Sequence, residues 1–478
     1  MKKLFPLALI CLVLLSVLFA CTDKNKVDLD GKTVYDIDVY LDGQVLSAKQ
    51  TVKVTNTFQE GLDSLTFALY PNAYSEDASS RAYTGRLARY GGITVSKLTV
   101  NDTETEFTLS DNNLYMSFNV PAMTDKQEVV VGMEYTVQIP ECSLRFGELN
   151  GAYNLSNFYP QLAVWSGEEF LTDPFSTIGD PVMSDVADFK LSVDIPASLV
   201  AAIPGSVSSG NAKPGRKMYE ISAPNVRDFA MALNGEYQVA TAKAGDVEVS
   251  YYYVEDGSAQ AHADLAASAI EVFSENFGSY PYDRFVVALT PFDADGMEFS
   301  GLVYISDDAS DAEAAIIHEA AHQWWYNLVG NDNVRSPWLD EGLTSFTSAY
   351  YYKLVGNEDK YNAEMALTEQ SYLRYERLQK LRKEGGLVAI NKSIYEYTSY
   401  QYGMLVYDKG AMMFKHILET VGEEKFLSAM RDYVENNRFA RVGAEELSAS
   451  FGKVMKCDAS GLINGWLSES ACLAAFAS

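Results

Sequence analysis

The sequence predicts a multi-domain α+β protein in which a β-rich N-terminal domain precedes a mostly helical domain. At 478 residues, the chain is longer than one hydrophobic core usually supports. Its hydrophobic content of 47% and aromatic content of 12% are typical of packed globular proteins. The residue pattern changes from alternating to helical after Gly245-Asp246. We therefore expect an N-terminal domain over residues 32–240 and a second domain over residues 241–478.

The N-terminal domain shows the two-residue period of half-buried strands. The segment from Tyr35 to Leu41 alternates apolar and polar side chains, and shorter runs around Val52 and Phe67 do the same. Turn-forming pairs such as Asp42-Gly43 separate these runs. Paired short strands at this spacing predict a sandwich or saddle-shaped sheet domain.

The second domain begins with a helical pattern over 259–277 and a buried strand over 285–289. Helical signals then dominate from Ser310 onward. The S-x-x-E spacing of Ser310 and Glu313 predicts a capping box that starts a helix, and Gly330 is placed to end it. A second helix is predicted to start at Ser336-Pro337 and to run to about Leu354.

The first residues predict an export signal. Lys2 and Lys3 precede an apolar run from Leu4 to Ala20, and Cys21 follows it. This pattern resembles a bacterial lipobox, so we expect a signal peptide over 1–20, a lipid on Cys21 that anchors the chain to a membrane, and a linker over 21–31. The alternative is an uncleaved anchor. Both interpretations place the body of the protein outside the cytoplasm.

Charge and cysteine usage exclude several classes of function. The formal net charge is −28 and the isoelectric point is near 4.5, so phosphate backbones would be repelled and nucleic-acid binding is disfavoured. The cysteines show no C-x-x-C spacing, which makes thiolate metal sites improbable. Cys457 and Cys472 are candidates for a disulfide, with Cys142 left over, and this pairing stays open. The sequence gives no signal of oligomeric state.

A metal site is predicted by the helical segment HEAAH. His318 and His322 lie four residues apart, so both imidazoles project from one helical face towards a single ion. Glu319 is angled to reach a water on that ion without binding it. Glu341, one turn into the second predicted helix, is placed to supply a carboxylate oxygen. Two His and one Glu leave the fourth zinc position open, which is the arrangement of catalytic zinc, so one Zn²⁺ per chain is expected. The remaining histidines are expected to be packing or surface residues: His262 and His416.

The segments HEAAHQWWYNLVGND and PWLDEGLTSF resemble the aminopeptidase N and leukotriene hydrolase family of zinc metallopeptidases. The eighteen residues between His322 and Glu341 match the spacing of that family. Asp295 to Gly301 is similar to its G-x-M-E-N signature, which implies that Glu298, with Gly296 and Met297, binds the free α-amine of a peptide substrate. Phe299 stands where Asn is common. Val406 to Gly410 is similar to its Y-E-K-G segment, which implies that Tyr407 donates to the oxyanion of the tetrahedral intermediate. Tyr402 is the alternative donor.

The resemblance covers nearly the whole chain after the signal, and implies an N-terminal saddle domain followed by a thermolysin-like catalytic domain. No C-terminal helical-repeat domain is expected, because the chain ends soon after Trp466. A pocket-lining Gln of some members has only a weak match at Gln161. The resemblance implies a zinc aminopeptidase in which Glu319 is the general base. The alternatives are a zinc endopeptidase, a glycyl-aminopeptidase-like hydrolase and a non-catalytic surface binding protein.

Overall fold

The computed structural model describes residues 31–382 and 389–467. The predicted signal peptide, Cys21, most of the predicted linker and Cys472 lie outside these ranges, so the expectations for them remain predictions. Among the described residues, no helix combines the length and the apolar character needed to cross a membrane.

The N-terminal domain is built from strands alone, apart from a short 3₁₀ turn at Tyr70–Tyr74. The strands of its largest sheet pair in the order β14, β15, β12, β1, β2, β8, β4, β5. Two smaller sheets have the orders β13, β16, β10, β9 and β11, β3, β7, β6. The strands of the domain are β1 (Thr33–Asp42), β2 (Val45–Thr55), β3 (Leu62–Ala68), β4 (Gly92–Val100), β5 (Thr103–Glu104), β6 (Thr108–Leu109), β7 (Tyr115–Met123), β8 (Glu128–Gln138), β9 (Phe146–Leu149), β10 (Ala152–Ser156), β11 (Gln161–Leu162), β12 (Ala187–Pro196), β13 (Val200–Ala202), β14 (Ser206–Ser209), β15 (Arg216–Val226) and β16 (Ala230–Asn234).

Alternation along these strands explains the core of the domain. In β1, Tyr35, Ile37, Val39 and Leu41 are buried while the residues between them are exposed, as the two-residue period predicts. The buried sides of β1, β2 and β8 contribute to one hydrophobic core together with β3 and β7 of a smaller sheet. The predicted sheet domain is therefore confirmed, as layered sheets that enclose a shared core.

The second domain combines a five-stranded sheet with helices. The sheet has the order β17, β18, β19, β21, β20, and β18, β19 and β21 run parallel. The helix over 259–277 and the strand over 285–289 form as the sequence predicts. The elements are β17 (Gln238–Ala244), β18 (Val247–Tyr253), α1 (Ala259–Phe277), β19 (Arg284–Thr290), β20 (Gly296–Met297), β21 (Leu302–Ser306), α2 (Ala312–Ala321), α3 (Leu343–Leu354), α4 (Glu358–Arg382), α5 (Ser399–Tyr402), α6 (Gly410–Val421), α7 (Glu423–Asn436), α8 (Ala444–Met455) and α9 (Ser460–Leu467).

The ends of the helix that carries HEAAH differ from the prediction. The N-cap is Asp311, whose side chain accepts from the backbone N–H of Ala314, and not Ser310. The helix ends at Ala321 with His322 as its C-cap, rather than continuing to Gly330. Tyr326 has a φ of 144°, outside the helical region. Its hydroxyl donates to Asp228 at 2.5 Å, so a tertiary contact holds this residue out of the helix.

The next helix also starts differently from the prediction. Ser336 makes no side-chain cap, and the segment Trp338–Gly342 forms a π-helical turn before α3 begins at Leu343. A second π-helical turn, Gly403–Lys409, precedes α6. Such turns occur frequently at functional sites, because they change the direction of a few side chains within a continuous helix. Here they contain Glu341 and Tyr407.

Candidate metal centre and cleft

Three side chains converge as a metal-binding group. The Nε2 atoms of His318 and His322 are 3.2 Å apart, and they lie 3.4 Å and 3.3 Å from the same carboxylate oxygen of Glu341. Zinc–ligand distances of about 2.0–2.1 Å at a tetrahedral centre place neighbouring ligand atoms about 3.3 Å apart. That oxygen of Glu341 is buried and has no hydrogen-bond partner among the described residues. The spacing and the orphaned oxygen both fit a zinc ion.

Neighbouring groups fix the orientation of His322. Its Nδ1 lies 2.9 Å from the backbone oxygen of Trp325, which can only accept, so Nδ1 carries the proton and Nε2 is left free for a metal. The hydroxyl of Thr344 lies 3.1 Å from the same nitrogen. The early end of α2 therefore has a function, because the turn after His322 brings the Trp325 carbonyl to the imidazole.

Glu319 lies beside the three ligands and is buried. A Cβ atom on Gly296 would lie only 2.5 Å from Oε1 of Glu319, so the carboxylate rests directly against glycine backbone at β20. Its Oε2 is buried without a hydrogen-bond partner in the described part of the chain. An open carboxylate oxygen next to a metal site is placed to accept a proton from water.

Glu298 is buried and points into the same space. One oxygen of its carboxylate, one oxygen of Glu319 and a ring nitrogen of His322 all lie within 4.8 Å of one another. Asn327 donates to the Glu298 backbone oxygen at 3.2 Å, which fixes the strand end that carries it. Phe299 departs from the family pattern without disturbing this arrangement, because its ring packs in the core against Tyr304 at 5.0 Å.

Tyr407 lies closer to the metal ligands than Tyr402. Its ring stacks on His318 with centroids 6.1 Å apart and an interplanar angle of 17°. The ring centroid of Tyr402 lies 5.7 Å from that of Tyr407, and the Tyr402 hydroxyl packs against Gly179. The geometry therefore favours Tyr407 over Tyr402 as the hydroxyl donor.

Two glycines set the distance between Glu341 and Tyr407. A Cβ on Gly342 would lie 2.9 Å from Cα of Gly410, and a Cβ on Gly410 would lie 2.7 Å from Cα of Gly342. The backbones that carry the two functional side chains are therefore in direct contact.

The pKa values of these side chains are shifted by burial and by the charged groups around them. Burial raises the pKa of Glu298 to about 8, and burial together with Glu298 raises the pKa of Glu319 well above its usual value. Burial lowers the pKa of His318. The pKa of Glu341 is lowered despite its burial, because both histidines stabilise the carboxylate. A divalent cation bound among these acidic groups would favour their ionised forms.

The cleft around these residues has a volume of about 520 Å³ and is walled by both domains. Arg145 of the N-terminal domain donates to Asp180 at 2.5 Å, and Asn333 of the catalytic domain approaches the other oxygen of Asp180 at 3.4 Å. Asp340, which accepts from the Glu341 backbone N–H at 2.9 Å, is buried beside the ligands. Sequence reasoning missed these four residues and Thr344. Only Asp340 and Thr344 had a usable signal, since they lie within one helical turn of Glu341.

Other residues singled out from the sequence lie elsewhere. Gln161 is buried, donates to the Met183 carbonyl and does not line the cleft, so the weak expectation for it is wrong. His262 is 2.7 Å from Asp256 at the start of α1. His416 packs on Trp466 with ring centroids 5.5 Å apart.

Comparison with known proteins agrees with this geometry. Residues 261–466 match the model described as the Peptidase family M1 domain. Aminopeptidase M1-B of Oryza sativa subsp. japonica is 24% identical over 283 residues, which are 55% of this chain and 32% of that protein. Aminopeptidase M1 of Arabidopsis thaliana is 22% identical over 402 residues, 76% of this chain and 44% of that protein. The matched part thus spans about a third to under a half of these relatives.

A solved structure shares the fold. The M1 zinc metallopeptidase from Deinococcus radiodurans superposes with a TM-score of 0.68 at 18% identity, covering 92% of this chain and 95% of that one. A mutant of that protein bound to a Tyr-Ser-Ala substrate superposes equally well. The fold and the three ligands define a zinc-metallopeptidase domain. Residues 261–466 are similar to the peptidase M1 domain, and the group formed by His318, His322 and Glu341 fits zinc as the cofactor.

Proposed function

We propose that this protein is a zinc-dependent aminopeptidase that removes the N-terminal residue from peptides. The observation that carries the proposal is the buried Glu298 carboxylate beside Glu319 and His322. A carboxylate at that point is placed to bind the ammonium group of a substrate, which would fix the scissile bond one residue from the chain end. The plant relatives are aminopeptidases by name, and the Deinococcus radiodurans mutant binds a Tyr-Ser-Ala substrate, which supports the same reaction.

Each residue has a defined task in this proposal. Zinc, when held by His318, His322 and Glu341, supplies the positive charge that acidifies a water molecule and polarises the substrate carbonyl. Glu319 takes the proton from the attacking water and delivers it to the leaving amine nitrogen. The hydroxyl of Tyr407 donates to the carbonyl oxygen as that oxygen gains negative charge.

The test uses amino-acid amides and peptides with free or acetylated N-termini. The parent should cleave only the free forms, and Glu298→Ala should lower kcat/KM at least about thirtyfold, because removing one partner of a buried charge pair costs about 2–5 kcal/mol. The matched control is Asp308→Asn, which removes an exposed carboxylate ten residues away that does not line the cleft, and it should leave kcat/KM unchanged. Equal cleavage of acetylated peptides would instead identify an endopeptidase.

We further propose that the protein is an exported lipoprotein anchored through Cys21. The charged and apolar segments that precede Cys21 support this localisation. In cells that express the full chain, the parent should sediment with membranes and incorporate a labelled fatty acid. Cys21→Ala should lose the label, and a variant that keeps the label would refute the anchor.

A further inference from the structure

A second cavity of about 440 Å³ lies between the domains, and it shares no lining residue with the zinc cleft. One wall comes from β1 and the segment before β12 in the N-terminal domain. The other comes from the segment between α7 and α8 in the catalytic domain. Tyr35 and Phe189 give the cavity an apolar side, and Arg227 and Arg441 give it a cationic side.

Arg227 is a buried cation without an acidic partner. Its guanidinium donates to backbone oxygens, among them those of Tyr326 and Ala440 at 2.6 Å and that of Asn327 at 3.1 Å. Only 2% of the residue is exposed, and no described carboxylate forms an ion pair with it. Burial lowers the pKa of this group, although Asp185 partly opposes the effect. Its Nη1 also donates to the Ser184 backbone oxygen at 3.4 Å, so every nitrogen has a neutral acceptor while the charge itself has no ion-pair partner among the described residues. Because buried charges are normally paired, an anion bound in the cavity would be stabilised by this guanidinium.

Two hydroxyl groups of the same cavity are also without partners. Oγ of Ser184 and Oγ1 of Thr55 are buried and make no hydrogen bond among the described residues. Their residues are 8% and 6% exposed, and both line the cavity. Buried hydroxyls nearly always have a hydrogen-bond partner, so both groups are available as donors to a bound molecule.

The charge around the cavity suits a monoanion. Three cations line it, Lys32, Arg227 and Arg441, together with two acids, Asp185 and Glu446. Lys32 is paired with Asp188 at 2.8 Å, so its charge is already neutralised within the chain. Arg441 is bound to Asp185 at 3.3 Å but keeps a partly exposed side chain.

We propose that this cavity binds a small monocarboxylate that carries an apolar group. Its carboxylate oxygens accept from Arg227, Arg441 and the hydroxyls of Ser184 and Thr55. Its apolar part packs against aromatic side chains that line the cavity: Tyr35, Phe58, Phe189 and Phe439. The volume lies in the range of small-molecule sites, about 300–1,000 Å³.

The test is isothermal titration of the zinc-loaded full chain with sodium phenylacetate at constant ionic strength. An amino-acid hydroxamate fills the zinc cleft throughout, so that carboxylate binding to the metal does not contribute. We expect saturable binding at one site per chain, weakened at least tenfold in Arg441→Gln and at least threefold in Ser184→Ala. The matched control is Arg438→Gln, because Arg438 is three residues from Arg441 but does not line the cavity. Its affinity should stay within twofold of the parent.

Arg441 and Ser184 are chosen because Arg227 is buried and bonds to several backbone oxygens of the catalytic domain. Arg441 also bonds to Asp185 and Trp165 of the N-terminal domain, so thermal unfolding of its variant is compared with that of the parent. Arg441→Lys, which keeps the charge, should restore part of the affinity. The proposal is overturned if phenylacetate gives no saturable binding, if the uncharged 2-phenylethanol binds equally well, if inorganic phosphate binds more tightly, or if affinity is unchanged in both Arg441→Gln and Ser184→Ala.

Discussion

The contact between Gly342 and Gly410 predicts a large effect from one added methyl group. In Gly410→Ala the new Cβ would lie 2.7 Å from Cα of Gly342, whereas carbon atoms pack at about 3.5–4.0 Å. Both residues have helical φ angles, −68° and −57°, so alanine is not strained by its own backbone. The cost is therefore steric, and the two backbones must separate by about 1 Å.

This separation would move Tyr407 away from Glu341. A misplacement of about 1 Å in a catalytic group lowers rates about a hundredfold, and overpacking costs about 1–3 kcal/mol of stability. We expect kcat/KM for an aminoacyl amide to fall about a hundredfold in Gly410→Ala while zinc remains bound. The assay combines steady-state kinetics with metal analysis of the purified variant.

Gly403, the first residue of the π-helical turn that precedes Gly410, provides a matched control. It is also in a helical conformation, but a Cβ there would meet nothing within 4 Å. Gly403→Ala should therefore keep parental kinetics. The reasoning is refuted if Gly410→Ala retains kcat/KM within threefold of the parent, or if Gly403→Ala is impaired to the same degree.

Three further predictions follow from other contacts. Thr344→Val removes a partner of His322 and should weaken zinc binding about ten- to a hundredfold in a chelator competition, since such supporting groups contribute this much. Gly296→Ala places Cβ against Glu319 and should lower kcat at least about a hundredfold with zinc retained. Burial raises the pKa of Asp408 from 3.8 to about 6, so the folded chain binds this proton more tightly than the unfolded chain. Its stabilising contribution is complete below about pH 3.8 and is lost as the pH rises through 6. Asp408→Asn should therefore gain about 1.4 kcal/mol relative to the parent between pH 5 and pH 7.5 in urea unfolding.

Each of these predictions has a result that contradicts it. Ser348→Ala, which removes a hydroxyl one turn further along α3 that donates to the Thr344 backbone oxygen, should leave zinc affinity unchanged, and an equal loss there would show a general helix effect. Parental kcat in Gly296→Ala would mean that Glu319 tolerates displacement. A stability difference between Asp408→Asn and the parent that does not change with pH would show that Asp408 is ionised in both states.

The zinc ligands were predictable because the chemistry requires a local pattern. The spacing of His318 and His322 follows from helix geometry. Glu341 was predicted from a two-helix arrangement with a short connection, whereas the structure brings it to the site through a longer segment and a π-helical turn. Alternation likewise predicted β1, and the helical period predicted α1. These features depend on residues that are close in sequence, so a linear pattern contains them.

The features that were missed depend on distant contacts. The helix ends at Ala321 because Tyr326 binds Asp228, which lies 98 positions earlier in the chain. Arg145 and Asp180 are 35 positions apart, and Asn333 follows 153 positions later. The contact of Gly342 with Gly410, where only backbone fits, joins two segments that are 68 positions apart in the sequence. No local propensity encodes such pairings, since each residue type is ordinary in its own segment.

The shared wall of the zinc cleft limits how this protein can be divided. Asp180 belongs to the N-terminal domain, yet it accepts a hydrogen bond from Asn333 of the catalytic domain at the edge of the space where a peptide would lie. The catalytic half alone would keep every metal ligand but would lose the surface that Arg145 and Asp180 provide. A recombinant chimera that exchanged only the catalytic domain would transfer the metal ligands without the part of the cleft wall that the N-terminal domain provides. Both domains therefore contribute to the wall of the cleft, so a change of substrate preference is expected to require substitutions in both of them.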